Sequence, residues 1–147
     1  MRYRDTMQRL RTLPSFNVLA IETSCDDTAV AIVSSTRKVL AQKIIGQNTS
    51  HQPYHGIVPR LAAQLHRANL PKAISDCISE AGFSGIKSID AIAATRGPGL
   101  ANCLSAGFLA GRSIGACNNL PFYGTHHMVI TLVLSKTSSF LIRKGML

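Results

Sequence analysis

The sequence predicts an α/β fold: a mixed sheet whose strands come first as an antiparallel meander and then alternate with helices, in the order βββαβαβ. Three observations predict it. Three apolar, β-branched runs, VLAIETS (18–24), TAVAIVS (28–34) and VLAQKIIGQ (39–47), are separated by only CDD and STRK, which leaves room for hairpin turns and nothing larger. Two later strands, IDAIAAT (89–95) and PFYGT (121–125), each follow a long helical stretch, as crossover connections require. The chain of 147 residues, 46% of them apolar, is the size of one ordinary domain with enough apolar side chains for a core.

Each element has a local reason. HQPYHGIVP (51–59) is rich in turn formers and reads as a loop. Pro59 suits the first turn of a helix that follows, in which Leu61, Leu65, Ala68, Leu70, Ile74 and Ile78 recur at roughly helical spacing. Pro71 is expected to kink or split that helix, because it lacks an N–H and its ring crowds the preceding turn; Gly82 is its stop signal. RGPG turns the chain into a second helix, rich in small residues, from Leu100 to about Cys117, and NNLP ends it. That stretch is the richest in apolar residues, but Arg112 interrupts it. It reads as a buried helix and not as a membrane span, so no stable membrane insertion is expected. Residues 128–147 find no clear place in this scheme.

The chain carries a formal charge of +9, which fits a polyanionic partner such as RNA or merely a basic compartment. Four of its arginines, Arg2, Arg4, Arg9 and Arg11, fall in a leader (1–17) with one acid and no apolar core. This excludes a standard secretory signal and resembles a mitochondrial presequence; a plain basic tail, and a cytoplasmic location, is the alternative. The cysteines Cys25, Cys77, Cys103 and Cys117 form no C-x-x-C pair and no zinc spacing, and read as free thiols of a reducing compartment. Cys25 sits among carboxylates, which raise a thiol pKa, so it is not nominated as a nucleophile.

Three of the seven carboxylates, Glu22, Asp26 and Asp27, crowd into IETSCDD (21–27). Like charges so close repel unless something answers them. A hairpin tip carrying Thr23, Ser24, Asp26 and Asp27 suits a metal-bound phosphate: hydroxyls and amides take phosphate oxygens while carboxylates hold a hard cation. A solvated Ser/Asp turn is the plain alternative. In TRGPGLAN (95–102), Gly97 and Gly99 allow a ligand close to the backbone, and the amides of the following helix N-terminus form an anion site; a tight strand-to-helix turn also explains them. GTHHM places His126 and His127 at a strand's carboxyl edge, where ligands bind in such sheets, although a surface histidine explains them as well. His51, His55 and His66 are too dispersed in sequence to define a site.

Taken together, LAIETSCDDTAVAIV, HQPYHGIVPRLAAQLHRANLP, IDAIAATRGPGL and GTHHM resemble, in order and spacing, the tRNA threonylcarbamoyladenosine synthase family of TsaD type, long called glycoproteases. The resemblance runs from about Val18 to Met128. It implies a two-lobed, actin-like ATPase fold with a ribonuclease-H-like core in each lobe, 18–128 forming the N-terminal lobe. It implies transfer of a threonylcarbamoyl group from threonylcarbamoyl-adenylate to N6 of the adenosine 3′ of the anticodon, with no peptide bond cut. It places Ser24, Asp26 and Asp27 in the catalytic segment near phosphate and metal, with Asp27 where many members have Glu. It places Gly97 and Gly99 at the substrate-binding floor of the cleft, and makes His127 the first ligand of an H-x-x-x-H metal site. One divalent metal, iron or zinc, is implied, with Mg compatible, tRNA as partner and a homodimer through a first-lobe helix.

The sequence also departs from the family pattern. Thr131 stands where the second metal histidine belongs, Val129 and Ile130 replace its usual neighbours, and a hydroxyl is a poor substitute for imidazole on such a metal. The late metal-binding Asp and the glycine-rich nucleotide segment of a second lobe are not found. Residues 129–147 therefore read as a divergent tail, from an alternative exon, a retained intron or a gene-model error. The leading expectation is a mitochondrial threonylcarbamoyltransferase lobe. The alternatives are a catalytically incomplete truncated or splice product that only binds a partner, and a sugar-kinase-like lobe, against which RGPG and HHM argue.

Overall fold

The computed structural model describes residues 12–128. The first eleven residues of the leader, Thr131 and the tail lie outside that range. Three strands open the chain: β1 (Asn17–Glu22), β2 (Asp27–Ser34) and β3 (Val39–Gly46). They form the expected meander, β1 antiparallel to β2 and β2 to β3. Helix α1 (Pro59–Glu80) then leads to β4 (Ala91–Gly97), and helix α2 (Ala101–Cys117) to β5 (Phe122–His126). Both crossover strands are parallel to β1, giving one five-stranded sheet in the order β3-β2-β1-β4-β5.

The register explains the core. Leu19 faces Ile32 and Ile92, and Ile21 faces Val30 and Ala94. These six side chains share one face of the sheet because side chains alternate along a strand. Leu70, Ala73 and Cys77 of α1 and, from α2, Ala110 and Ile114 close over that face as one cluster. Among the described residues, both helices pack on this same side. The opposite side carries small residues, Ala20, Ala29, Ala31 and Ala93.

Helix α1 runs unbroken through Pro71, where a kink or split was expected. Pro71 is exposed, so the missing N–H and the crowded turn fall on the solvent side of the helix, while the neighbouring Leu70 and Ala73 remain buried. Gly82 ends the helix as predicted. At φ 74° it lets its own N–H reach the Ser79 carbonyl (3.0 Å) and the Phe83 N–H reach Ile78 (3.1 Å), the double bond of a Schellman stop. Asn119 does the same for α2, at φ 53°, with Leu120 bonded back to Gly115 at 2.9 Å. A helical turn, Asn48–His51, leads into the stretch read as a loop, 51–59, which holds a 3-10 turn, Gln52–Tyr54. Strand β1 ends two residues early, at Glu22, so Thr23 and Ser24 belong to the turn.

Candidate active site at the carboxyl edge of the parallel strands

Since β1, β4 and β5 run parallel, their carboxyl ends lie on one edge of the sheet. The motifs singled out in the sequence follow those ends: Glu22–Asp27 after β1, Gly97–Leu100 after β4, and His126–Met128 at the end of β5. Outside such an edge, beside a crossover helix, is where open α/β sheets bind ligands.

Ser24 is the meeting point. Its hydroxyl lies 3.0 Å from His127 Nδ1, and its carbonyl accepts the Leu100 N–H at 2.8 Å. Gly99 makes that approach possible, because a Cβ there would stand 2.6 Å from the Ser24 carbonyl oxygen. No side chain caps the start of α2 and no acid lies in its first turn, so its partial positive end is not offset locally.

Glu22, only 8% exposed, is the hub the sequence reading left out of the site. One carboxylate oxygen accepts the Ser24 N–H at 2.6 Å; the other accepts the Thr95 hydroxyl and lies 3.3 Å from His127 Nδ1. Its buried charge is thus answered by protein donors. The signal for Glu22 was present, as an acid at the end of an apolar run; Thr95 gave none, being a strand residue of ordinary type.

The three carboxylates diverge, which removes much of the expected repulsion. Glu22 turns inward. Asp26 is half-buried and lines an open cavity of about 490 Å³ with Asn48, Thr49, His51, Gln52, His55, Gly56 and Ile57. Asp27 is exposed at the start of β2, with its Oδ1 beside Gly46. The structure therefore brings Ser24, Gly99 and His127 together. It sets Asp26 toward a neighbouring hollow that none of those three lines, and leaves Asp27 at the surface. Gly97 has open space where a side chain would stand, so close packing within the chain is not what calls for glycine there.

A metal fits these residues poorly. Among the described residues no group of three His, Cys, Asp or Glu side chains could hold one. His127 offers a single imidazole, with Nδ1 already engaged by Ser24 and Glu22. His126 accepts the Met128 N–H at 3.3 Å, a local bond.

All four cysteines are free thiols. The thiol of Cys25 is pushed up from its ordinary value, first by partial burial and then by the hydrogen bond and charge of Asp26, which disfavours its thiolate. Burial also raises Cys103, and pushes Cys77 up to about 11.

The fold is shared with solved structures. YeaZ from Pseudomonas aeruginosa superposes with a TM-score of 0.58 over 76% of this chain and 43% of its own, at 21% identity. A second solved structure, described as an uncharacterized protein with similarity to peptidase YEAZ from Pseudomonas aeruginosa, gives 0.62 over 84% and 49%, at 20% identity. The architecture is thus a YeaZ-like, ribonuclease-H-like α/β lobe.

Sequence comparison narrows this. The curated tRNA N6-adenosine threonylcarbamoyltransferase of Orientia tsutsugamushi (strain Boryong) is 39% identical over 127 residues, 84% of this chain and 37% of its own length. The protein of the same description from Rickettsia bellii (strain OSU 85-389) is 42% identical over 111 residues, 76% of this chain and 32% of its own. The chain spans about a third of the length of these relatives. A family profile described as TsaD, tRNA N6-adenosine threonylcarbamoyltransferase, matches residues 38–138, more than half of the chain. The chain belongs to the TsaD family. That match runs past Met128 into the stretch read from sequence as divergent tail.

Proposed function

We propose that this chain supplies the N-terminal lobe of a threonylcarbamoyltransferase that modifies N6 of the adenosine 3′ of the anticodon in tRNA. The observation that carries the reading is the convergence of Ser24, Gly99 and His127 over the start of α2, in a chain of this family. In the reaction the N6 amine attacks the carbamoyl carbon of threonylcarbamoyl-adenylate. The new C–N bond forms, the bond from that carbon to the phosphate oxygen breaks, AMP leaves, and the amine gives up a proton. The roles fall to groups on this edge. The Ser24 hydroxyl and the amides opening α2 take phosphate oxygens of the adenylate, and pre-aimed donors of this kind stabilise the charge that develops on the leaving phosphate. The amine's proton passes to solvent, while Asp26, facing the neighbouring hollow, and Asp27, at the surface, add negative charge at the rim for a cation such as Mg. Glu22 and Thr95 hold Ser24 and His127 in place. Because the described residues do not fit a divalent iron or zinc, the transfer is given no step through one, and His127 keeps only its contacts with Ser24 and Glu22.

The +9 charge supports tRNA as the partner. The Arg-rich leader supports delivery to the mitochondrial matrix, checked by whether residues 1–17 carry a fluorescent fusion there. Self-association as a homodimer is checked by light scattering on the purified chain. The activity is tested by incubating the chain with labelled threonylcarbamoyl-adenylate and unmodified tRNA. Label transferred to tRNA and lost in Ser24→Ala supports the reading. Adenylate binding with no transfer supports instead a chain that needs, or only binds, a partner.

A further inference from the structure

The three histidines too dispersed in sequence to suggest a site include two that the fold buries in one hydrogen-bonded chain. His66, on α1, is fully buried, and His51 is 4% exposed. Between them lies Gln47, 2% exposed. His66 Nε2 faces the Cys25 carbonyl at 3.0 Å. His66 Nδ1 faces the Thr28 hydroxyl at 2.8 Å and Gln47 Nε2 at 3.3 Å. Gln47 Nε2 also reaches the Ala62 carbonyl at 3.3 Å, and its Oε1 faces His51 Nε2 at 3.2 Å. His51 Nδ1 faces the Val58 N–H at 3.4 Å.

Three backbone groups fix every proton in this chain. The Ala62 carbonyl can only accept, so Gln47 Nε2 is the amide nitrogen and Oε1 the acceptor. The Val58 N–H can only donate, so His51 Nδ1 is bare and Nε2–H donates to Gln47 Oε1. The Cys25 carbonyl can only accept, so His66 carries its proton on Nε2. The single Nδ1 lone pair then accepts the Thr28 hydroxyl at 2.8 Å, with the Gln47 amide at 3.3 Å as the longer arm of a three-centre bond, which leaves no place for a second ring proton. Burial disfavours the charged ring and lowers the His66 pKa; the bond to the Cys25 carbonyl and then the carboxylates of Glu22, Asp26 and Asp27, all of the β1–β2 segment, oppose this without outweighing it.

We propose that His66 is a positioning residue for the acidic turn: as the neutral Nε2–H ring it holds the Cys25 carbonyl, and through Gln47 and His51 it ties that turn to the wall of the cavity that Asp26 faces. The ends of the chain are the backbone next to Asp26 and a side chain that lines the same hollow. The acidic turn and the 48–58 segment are therefore set relative to each other by side-chain bonds and not by the sheet alone. The catalytic consequence rests on reading Asp26 as part of the reacting site; the geometry does not.

The test is long-range proton–nitrogen NMR of the histidine rings in the full chain, which reads the tautomer without any assay of activity and so fails independently of the functional reading. His66 is expected as the Nε2–H tautomer, less than half protonated at pH 6.5, where an unperturbed ring would be about half protonated. An Nδ1–H tautomer, or half protonation at or above pH 6.5, overturns the proposal. Gln47→Leu is expected to shift both the His51 Nε2 resonance and the Asp26 amide, whereas the core variant Cys77→Ala lowers the melting temperature and leaves both in place. Should Gln47→Leu not fold, Thr28→Val, which keeps the side chain's shape, is expected to shift His66 Nδ1 and the Asp26 amide. Unmoved resonances in the folded variant overturn the coupling.

Discussion

A methyl group at residue 99 has no room: its carbon would stand 2.6 Å from the Ser24 carbonyl oxygen and 2.7 Å from Ser24 Cβ. Either Ser24 withdraws or the Leu100–Ser24 bond is lost. Gly99→Ala is therefore expected to cost about 2 kcal/mol of stability in urea unfolding, within the usual range for overpacking. Gly97→Ala shares a similar backbone φ (159° against 157°) but meets no atom within 4 Å, so the extra loss in Gly99→Ala reads the clash. The thiols give a second check. At pH 8, iodoacetamide should alkylate exposed Cys117 in the native chain and spare Cys77 and Cys103, whose burial hides them and holds them as thiols. Native labelling of Cys77 at the rate seen in urea would show that the core is not as described. At this scale the sequence reading singled out three residues that the fold brings together, Ser24, Gly99 and His127, because hydroxyls, paired glycines and histidines at strand ends are unusual and local. It did not find Glu22, Thr95, Gln47 and His66 as site-forming groups. Their importance lies in partners that stand, for Glu22 with Thr95, 73 positions away, and no local pattern encodes that.

Helix α2 sits close to the sheet because its inner face is a row of glycines at four-residue spacing. Gly107 lies against Thr23, whose hydroxyl both accepts the Gly107 N–H and donates to the Cys103 carbonyl. Gly111 lies against Ile92 and Phe122, and Gly115 against Leu120 and Phe122. A Cβ on Gly107 would meet Thr23 Oγ1 at 2.5 Å, and Thr23 is buried and β-branched, with little freedom to turn. Gly107→Ala should destabilise by roughly 1–3 kcal/mol and displace the start of α2 from Ser24. Pro71→Ala should act in the opposite sense. The helix already passes through residue 71, so restoring an N–H at an exposed position stabilises it by about 1 kcal/mol or more in thermal unfolding. The strands, the crossovers and the Gly82 stop were legible because they rest on periodicity and turn chemistry. The unbroken α1 was not, because packing of Leu70 and Ala73 beneath the proline outweighs the local preference to break. Nor were the helical turns in 48–54, which are too short to carry a period.

For the whole molecule, the buried His66 links folding to pH. Its folded pKa is lowered, so below about pH 6.5 the unfolded chain takes a proton that the folded chain refuses. Stability is then lost as pH falls from that value through the folded pKa, by at most about 1.4 kcal/mol per pH unit from this group. Urea unfolding between pH 5 and 8 should show this component, and His66→Gln should flatten it. The site itself is a property of the whole fold, since parallel pairing of β1, β4 and β5 is what gathers residues 24, 99 and 127 onto one edge. The proposed function requires this edge to receive an adenylate phosphate. Titration of the isotope-labelled chain with AMP, the leaving group of the proposed reaction, tests this. Saturable shifts centred on Ser24, Leu100 and His127, weakened roughly tenfold in Ser24→Ala, are expected for loss of a hydrogen bond to a charged group. Saturable binding that bypasses these residues, or no binding at millimolar AMP, would contradict it.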